Sequence, residues 1–206
     1  MRLYLLIIIS LLLSCRDSPS VEKQGELPND ILKNKKEKRK KFSKTEIIWT
    51  TDHVKIWGDT SNGKTVIEYA SYKFEPYISF NDFKVNGIYK GQKSAINYNS
   101  NSIAKQYKTR ITDTYKSEGL NFAGHYCFVF WGCGSSCQSS AIVDLANGKV
   151  YDGPSASLRY SFKINSKMLI VNPTDSSGFY DDCAYCYPEI WLWNENTKLF
   201  EQRKSN

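Results

Sequence analysis

Residues 125–153 read HYCFVFWGCGSSCQSSAIVDLANGKVYDG, and most of the architecture follows from them. The opening run HYCFVFWG (125–132) is apolar at odd and even positions alike. That pattern predicts a strand covered on both faces, and therefore a central one. A Gly/Ser-rich turn follows. SAIVDLANGKVYDG then places two β-rich runs about Asn147-Gly148, a dipeptide that accepts the positive φ of a tight hairpin. Further along, LRYSFKI (158–164) and MLIVN (168–172) flank Asn165-Ser166-Lys167, and EIWLW (189–193) and KLFEQ (198–202) flank NENT. Each pair predicts another hairpin. On the other side the period changes. In NSIAKQYKTRITDTYKSEG, Ile103, Tyr107, Ile111 and Tyr115 recur every four residues, with Asn101 or Ser102 to cap the start and Gly119 to end it. One amphipathic helix over about 102–118 is expected. Still earlier, EIIWT (46–50), HVKIW (53–57) and KTVIEYASYKF (64–74) read as strands, and FKVNGIYK (83–90) holds a turn dipeptide, Asn86-Gly87, between apolar flanks. The fold class is α+β, mainly β: an antiparallel meander of hairpins, as a sheet or small sandwich, with one helix. Residues 45–206 suffice for a single β-rich globular domain with its own core.

The chain before that domain has a different character. MRLYLLIIISLLLSC (1–15) carries Arg2, then an apolar run over 3–13 broken only by Ser10. Eleven residues are too few for a helix across a ~30 Å hydrocarbon core, which needs roughly 20, and they fit the h-region of a signal peptide. Leu12-Leu13-Ser14-Cys15 resembles a bacterial lipobox. Residues 1–14 are therefore expected to be a lipoprotein signal peptide and Cys15 the lipidated residue of the mature chain. Several acyl chains on one residue give a lasting anchor. The expected location is the bacterial cell envelope, at the outer membrane on its periplasmic or surface face. Residues 15–44 then form a lipid-anchored disordered basic tether: they lack any apolar period, contain KNKKEKRKK (33–41), and reach roughly 30 Å as a random coil. The formal charge of +7 is concentrated here, with +5 over residues 16–44 and only +1 over 45–206. The basicity belongs to the tether and suits a solvated spacer or anionic headgroups. A nearly neutral domain on a lipid anchor gives no reason to expect a nucleic-acid partner.

LNFAGHYCFVFWGCGSSCQSSAIVDLANGKVYDG (120–153) resembles a core shared by an uncharacterised family of exported bacterial proteins and lipoproteins. The common pattern is NFAGHY, a hydrophobic strand, WGCGxxC, and a strand leading to an Asp-containing turn with GKVY. The similarity runs from about Phe83 to the last hairpin. It implies export and no particular activity. The Cys183/Cys186 pair lies outside the pattern.

With Cys15 assigned to lipid, five thiols remain: Cys127, Cys133, Cys137, Cys183 and Cys186. An odd count leaves one unpaired, and Cys127, inside the apolar strand, fits a buried thiol. Outside the cytoplasm disulfides persist. Local pairs Cys133–Cys137 and Cys183–Cys186 close loops of four or five residues, each contributing about 2 kcal/mol; a crossed pairing closes about 51 residues and contributes about 4. Geometry decides between them, and the GSS turn favours the local pair at Cys133–Cys137. Two alternatives stand beside the staple. The four cysteines have the composition of a Cys₄ zinc site, although CGSSC has three intervening residues. CAYC has redox spacing but precedes Tyr187-Pro188 and a strand, with no helix N-terminus to activate a thiol.

Other chemistry is sparse. His125 and Cys127, two apart on one strand, are candidates for a Cys–His dyad; the plainer reading is a satisfied polar group beside a packing thiol. Asp175, Asp181, Asp182 and Glu189 surround TDSSGFYDD, which reads as an acidic solvated loop rather than a calcium site. Tyr180, Tyr185 and Tyr187 in the same region suit a recognition surface or a core. No cofactor is implied. The preferred reading is a non-enzymatic binding or interaction module with a protein or glycan partner, held to the membrane through Cys15. The alternative is a thiol-based envelope enzyme, either an oxidoreductase or a Cys-His hydrolase. Closed disulfides and an exposed aromatic patch mark the first; a pocket holding His125 or a solvent-open thiol marks the second.

Overall fold

The computed structural model describes residues 44–61, 63–75 and 78–203, all within the compact unit Phe42–Asn206. Residues 1–43, which hold the expected signal peptide, Cys15 and nearly all of the expected tether, lie outside the described residues. Among the described residues eleven strands form three antiparallel sheets, with two short α-helices and one 3-10 turn. No helix among the described residues is long and apolar enough to cross a membrane.

The central hairpin organises the core. Strand β4 (Tyr126–Gly134) pairs with β5 (Cys137–Asp144), in the register Cys127↔Val143, Phe128↔Ile142 and Val129↔Ala141, and β5 pairs with β6 (Val150–Asp152). Alternation sends successive side chains to opposite faces. Cys127, Val129, Trp131, Ala141 and Val143 meet Ala104, Ile111 and Tyr115 from the helices. Tyr126, Phe128 and Ile142 meet Leu169, Val171 and Trp193 from a second sheet. Two cores on either side of one hairpin explain why HYCFVFWG shows no polar face. The Asn147-Gly148 turn holds as expected: Gly148 has φ +72, and a Cβ there would lie 1.9 Å from the Ala95 carbonyl oxygen.

Two expectations change at this hairpin. The order β4-β5-β6 puts β4 at an edge, not in the centre. The first part of its outer side, Tyr126 to Phe128, is closed by the chain just before it. The Asn121 amide accepts the Phe128 N–H at 2.6 Å and donates to the Phe128 carbonyl at 3.1 Å, while Phe122 and Tyr126 exchange backbone bonds of 3.0 Å each. Between them Ala123 (φ +45) and Gly124 (φ +82) make the reversal. The single helix is also broken in two, α1 (Ser102–Gln106) and α2 (Lys108–Ser117). Asn101 caps the start by accepting the Ala104 N–H at 2.8 Å, and Gly119 (φ +62) follows the end. The break falls at Tyr107 (φ −109°, ψ 30°), whose ring packs on Trp131 with centroids 4.6 Å apart.

The second sheet is the pair of hairpins read from the sequence. Strands β7 (Tyr160–Phe162) and β8 (Met168–Val171) pair, β10 (Glu189–Asn194) and β11 (Leu199–Arg203) pair, and the order is β11-β10-β8-β7. The third sheet has the order β1-β2-β3-β9 and combines β1 (Glu46–Thr50), β2 (Val54–Asp59) and β3 (Val66–Lys73) with β9 (Phe179–Asp181). Strand β9 falls inside the segment expected to be a solvated loop. The expected turn at Asn86-Gly87 makes no hairpin. Val85 instead donates to the Asn165 carbonyl and Tyr89 to that of Gly124, so this segment bonds to other parts of the chain rather than to itself.

Candidate functional site

Both close cysteine pairs are disulfides, Cys133–Cys137 and Cys183–Cys186, with Cα atoms 5.1 and 5.2 Å apart. The first closes the tip of the β4–β5 hairpin, where Gly134 and Ser136 both have positive φ. The second closes the turn after β9, in which Cys186 N–H donates to the Cys183 carbonyl. The crossed pairing is excluded, and the four sulfurs offer no thiolate to the zinc alternative. Among the described residues no group of three His, Cys, Asp or Glu side chains could hold a metal ion. The acidic loop has other uses. Asp175 accepts the N–H groups of Ser177 and Phe179, Asp181 accepts the Ser71 hydroxyl, and Glu189 accepts the Trp191 indole N–H. Burial pulls the Asp175 pKa upward, but those bonds and Lys55, 3.7 Å away, outweigh it and hold the carboxyl below its ordinary value.

Among the described residues Cys127 is the free thiol, and it is 0% exposed. Burial pushes its pKa up to about 12, an environment for packing rather than nucleophilic attack. His125 does not activate it: among the described residues no hydrogen bond joins the two, and the His125 ring lies against Tyr126 with centroids 4.0 Å apart.

The two disulfide loops border one shallow cleft of about 310 Å³. Ser136 and Cys137 form one wall, Ala184, Tyr185 and Tyr187 the other, and Glu189 stands at the rim. Tyr185 and Tyr187 are 50% and 49% exposed. Tyr187 is held edge-on by Tyr180 and Phe74, with centroids 5.4 and 5.8 Å away. Asn172 ties the Ser157–Leu158 segment to the Tyr187 wall. Its side-chain oxygen accepts the N–H groups of Ser157 and Leu158 at 2.9 and 3.0 Å, and its amide donates to the Tyr187 carbonyl at 3.4 Å. Ser136, Ser155 and Ser157 also line the cleft, and their hydroxyls have no hydrogen-bond partner among the described residues. A larger cleft of about 420 Å³ lies elsewhere, lined chiefly by Phe74, Ile78, Ile170, Pro188 and Ile190. It too has hydroxyls without a hydrogen-bond partner among the described residues, Thr174 and Ser176, but it lacks the paired exposed rings of the first.

Of the residues singled out from sequence, the structure brings Cys137, Tyr185, Tyr187 and Glu189 into the cleft and leaves His125 and Cys127 out of it. Sequence reasoning missed Asn172, whose φ of +50 is the kind of conformation Asn tolerates. It also missed a polar triad: the Tyr126 hydroxyl donates to Glu195 at 2.6 Å, and Lys198 donates to Glu195 and to Tyr126 at 2.9 Å each. The three groups satisfy one another and fasten the last hairpin to the start of β4. No protein-family model, curated protein or solved structure matches the chain.

Proposed function

We propose that this chain is a lipid-anchored protein of the bacterial cell envelope whose domain is a non-enzymatic binding module. It is a member of the exported family that its NFAGHY…WGCGxxC…GKVY core resembles. The anchor is the acylated Cys15, and the recognition surface is the cleft between the two disulfide loops. One observation carries the binding reading: two half-exposed tyrosines, one within the Cys183–Cys186 loop and one just after it, line a cleft shared with the Cys133–Cys137 loop, with unpartnered hydroxyls around them. Rigid aromatic rings give contact area at a low cost in side-chain entropy, and small polar groups add adaptable hydrogen bonds. Oxidised cysteine pairs and a buried fifth thiol fit recognition better than thiol chemistry. The oxidising compartment that such pairs require agrees with the leader sequence.

The test has two arms. Metabolic labelling with radioactive palmitate marks the wild type and not Cys15→Ser; label retained by the variant would remove the anchor. Cross-linking in intact envelopes then compares the wild type with Tyr185→Ala/Tyr187→Ala. Loss of the adducts in a variant that keeps its unfolding midpoint supports the cleft. Adducts unchanged by the double exchange would move recognition elsewhere.

A further inference from the structure

We infer that the free corner of the β1–β2–β3–β9 sheet docks on an anionic lipid surface, seating Ile47, Trp49, Val66, Ile67 and Tyr69 at the boundary between headgroups and acyl chains. This rests on the anchored reading above, which brings the domain to a membrane. The corner is unusually bare. Trp49, Val66 and Ile67 are 54%, 55% and 68% exposed, and Ile47 and Tyr69 are exposed as well. None of the sheet's residues belongs to either core cluster, and among the described residues neither helix packs against it as a layer. Strand register sorts the side chains. Ile47, Trp57 and Tyr69 form a row on one face, and Trp49, Ile56 and Ala70 form a row on the other, so the edge of the sheet is apolar on both sides. Strand β1 reads EIIWT, without the lysine or proline by which solvent-facing edges are usually blunted. Its unpaired backbone groups rule out the hydrocarbon interior but are satisfied among headgroups. Tryptophan and tyrosine are enriched at that boundary, and neighbouring aliphatic side chains bury their apolar surface on its acyl side. Beyond the row of Trp57 and Tyr69 lies a polar row, Lys55, Ser71 and Asp181, which limits the depth of insertion.

The charge of the surface follows from the chain leading into β1. KNKKEKRKK, residues 33–41, carries a net charge of +6 and ends five residues before the strand. The acids of the corner are Glu46, Asp59 and Glu68; the basic run outnumbers them, so the balance favours anionic lipid.

The acylated full-length protein is reconstituted into vesicles of phosphatidylcholine with or without phosphatidylglycerol, all with brominated acyl chains, and tryptophan quenching is read. The expected result is quenching in the anionic vesicles that is reduced by Trp49→Phe and largely abolished by Trp49→Phe with Trp57→Phe, weakened by Ile67→Ser, and reduced severalfold without phosphatidylglycerol or at high salt. Emission left unquenched while the protein floats with the vesicles would overturn docking and leave the anchor standing. Failure to float at all would remove the anchor. Cross-linking between copies through the corner, equal in vesicles and in detergent, would make the surface a self-association site and overturn the lipid assignment.

Discussion

Reactive-thiol counting under three conditions tests the sulfur chemistry on which the binding reading depends. The perturbation is stepwise: native protein, then denaturant, then denaturant with reductant, each titrated with an aromatic disulfide reagent near neutral to mildly alkaline pH. In the native state the only unpaired thiol described is Cys127, with no exposed surface and a pKa of about 12. Near pH 8 its thiolate fraction is about one part in ten thousand, against about a quarter for an unfolded cysteine of pKa about 8.5. The native reaction is therefore slowed on the order of a thousandfold by ionisation alone, and further by burial. The expected counts for the acylated chain are none in the native state, one after unfolding and five after reduction. A sixth thiol marks an unmodified Cys15. Reduction also releases two short loops, each contributing about 2 kcal/mol, so the reduced protein should unfold at visibly lower denaturant concentration. A thiol that reacts at the free-cysteine rate in folded protein, or three or more before reduction, would refute the reasoning and return thiol catalysis to consideration.

Backbone geometry at the NFAG turn gives a second test. Gly124→Ala forces a side chain into positive φ and sets its Cβ 2.5 Å from the Gly87 carbonyl oxygen, so a loss of about 3 kcal/mol is expected in denaturant unfolding, whereas Gly132→Ala, with nothing within 4 Å, should change stability by less than about 0.5. Asn121→Ala strands the N–H and carbonyl of buried Phe128 and should cost about 2–4 kcal/mol, with concentration-dependent aggregation as the β4 edge opens; an unchanged midpoint would show that the edge is closed by something else. Glu195→Gln weakens the triad with Tyr126 and Lys198. Desolvation raises the Glu195 pKa, but the bonds from Lys198 and Tyr126 outweigh it and leave the pKa lowered, so its stabilisation is present above the unfolded carboxyl pKa of about 4.3 and is lost as pH falls through the folded value. Desolvation lowers the Lys198 pKa, yet its bonds to Glu195 and Tyr126 raise it overall, which retains stability below its unfolded pKa of about 10.4 and loses it above the folded one. With both side chains about a third exposed, the variant should cost about 1 kcal/mol at neutral pH, and the difference should vanish in acid titrations of the unfolding midpoint.

Much of this architecture was legible because local chemistry sets it. Asn147-Gly148 can turn tightly, and the two later hairpins carry alternating apolar runs with polar connectors. The short spacing of each cysteine pair made local closure available, and the fold supplied the geometry that chose it. What was not legible depends on contacts distant in the chain. HYCFVFWG reads as central because both faces are covered, but edge position is a matter of hydrogen bonding, which hydropathy does not report. Asn121, five residues before β4, does the pairing that a neighbouring strand would have done. Phe179–Asp181 becomes a strand because Ser71, Tyr72 and Lys73 lie opposite it, more than a hundred residues earlier. The break at Tyr107 reflects Trp131, which no helical period encodes. The cleft was half visible: tyrosines near paired cysteines pointed to a surface, but only the fold brings the two loops to one place.

Phe122, Tyr126 and Phe128 are roofed by Trp193 and Phe200, which come from the last hairpin described. Order of assembly follows from that arrangement. A nascent chain that has made the β4–β5 hairpin still shows a wet aromatic face until residues some seventy positions later arrive. The domain therefore cannot seal early during synthesis, and a chain threaded through a translocation channel would stay open until that hairpin had passed.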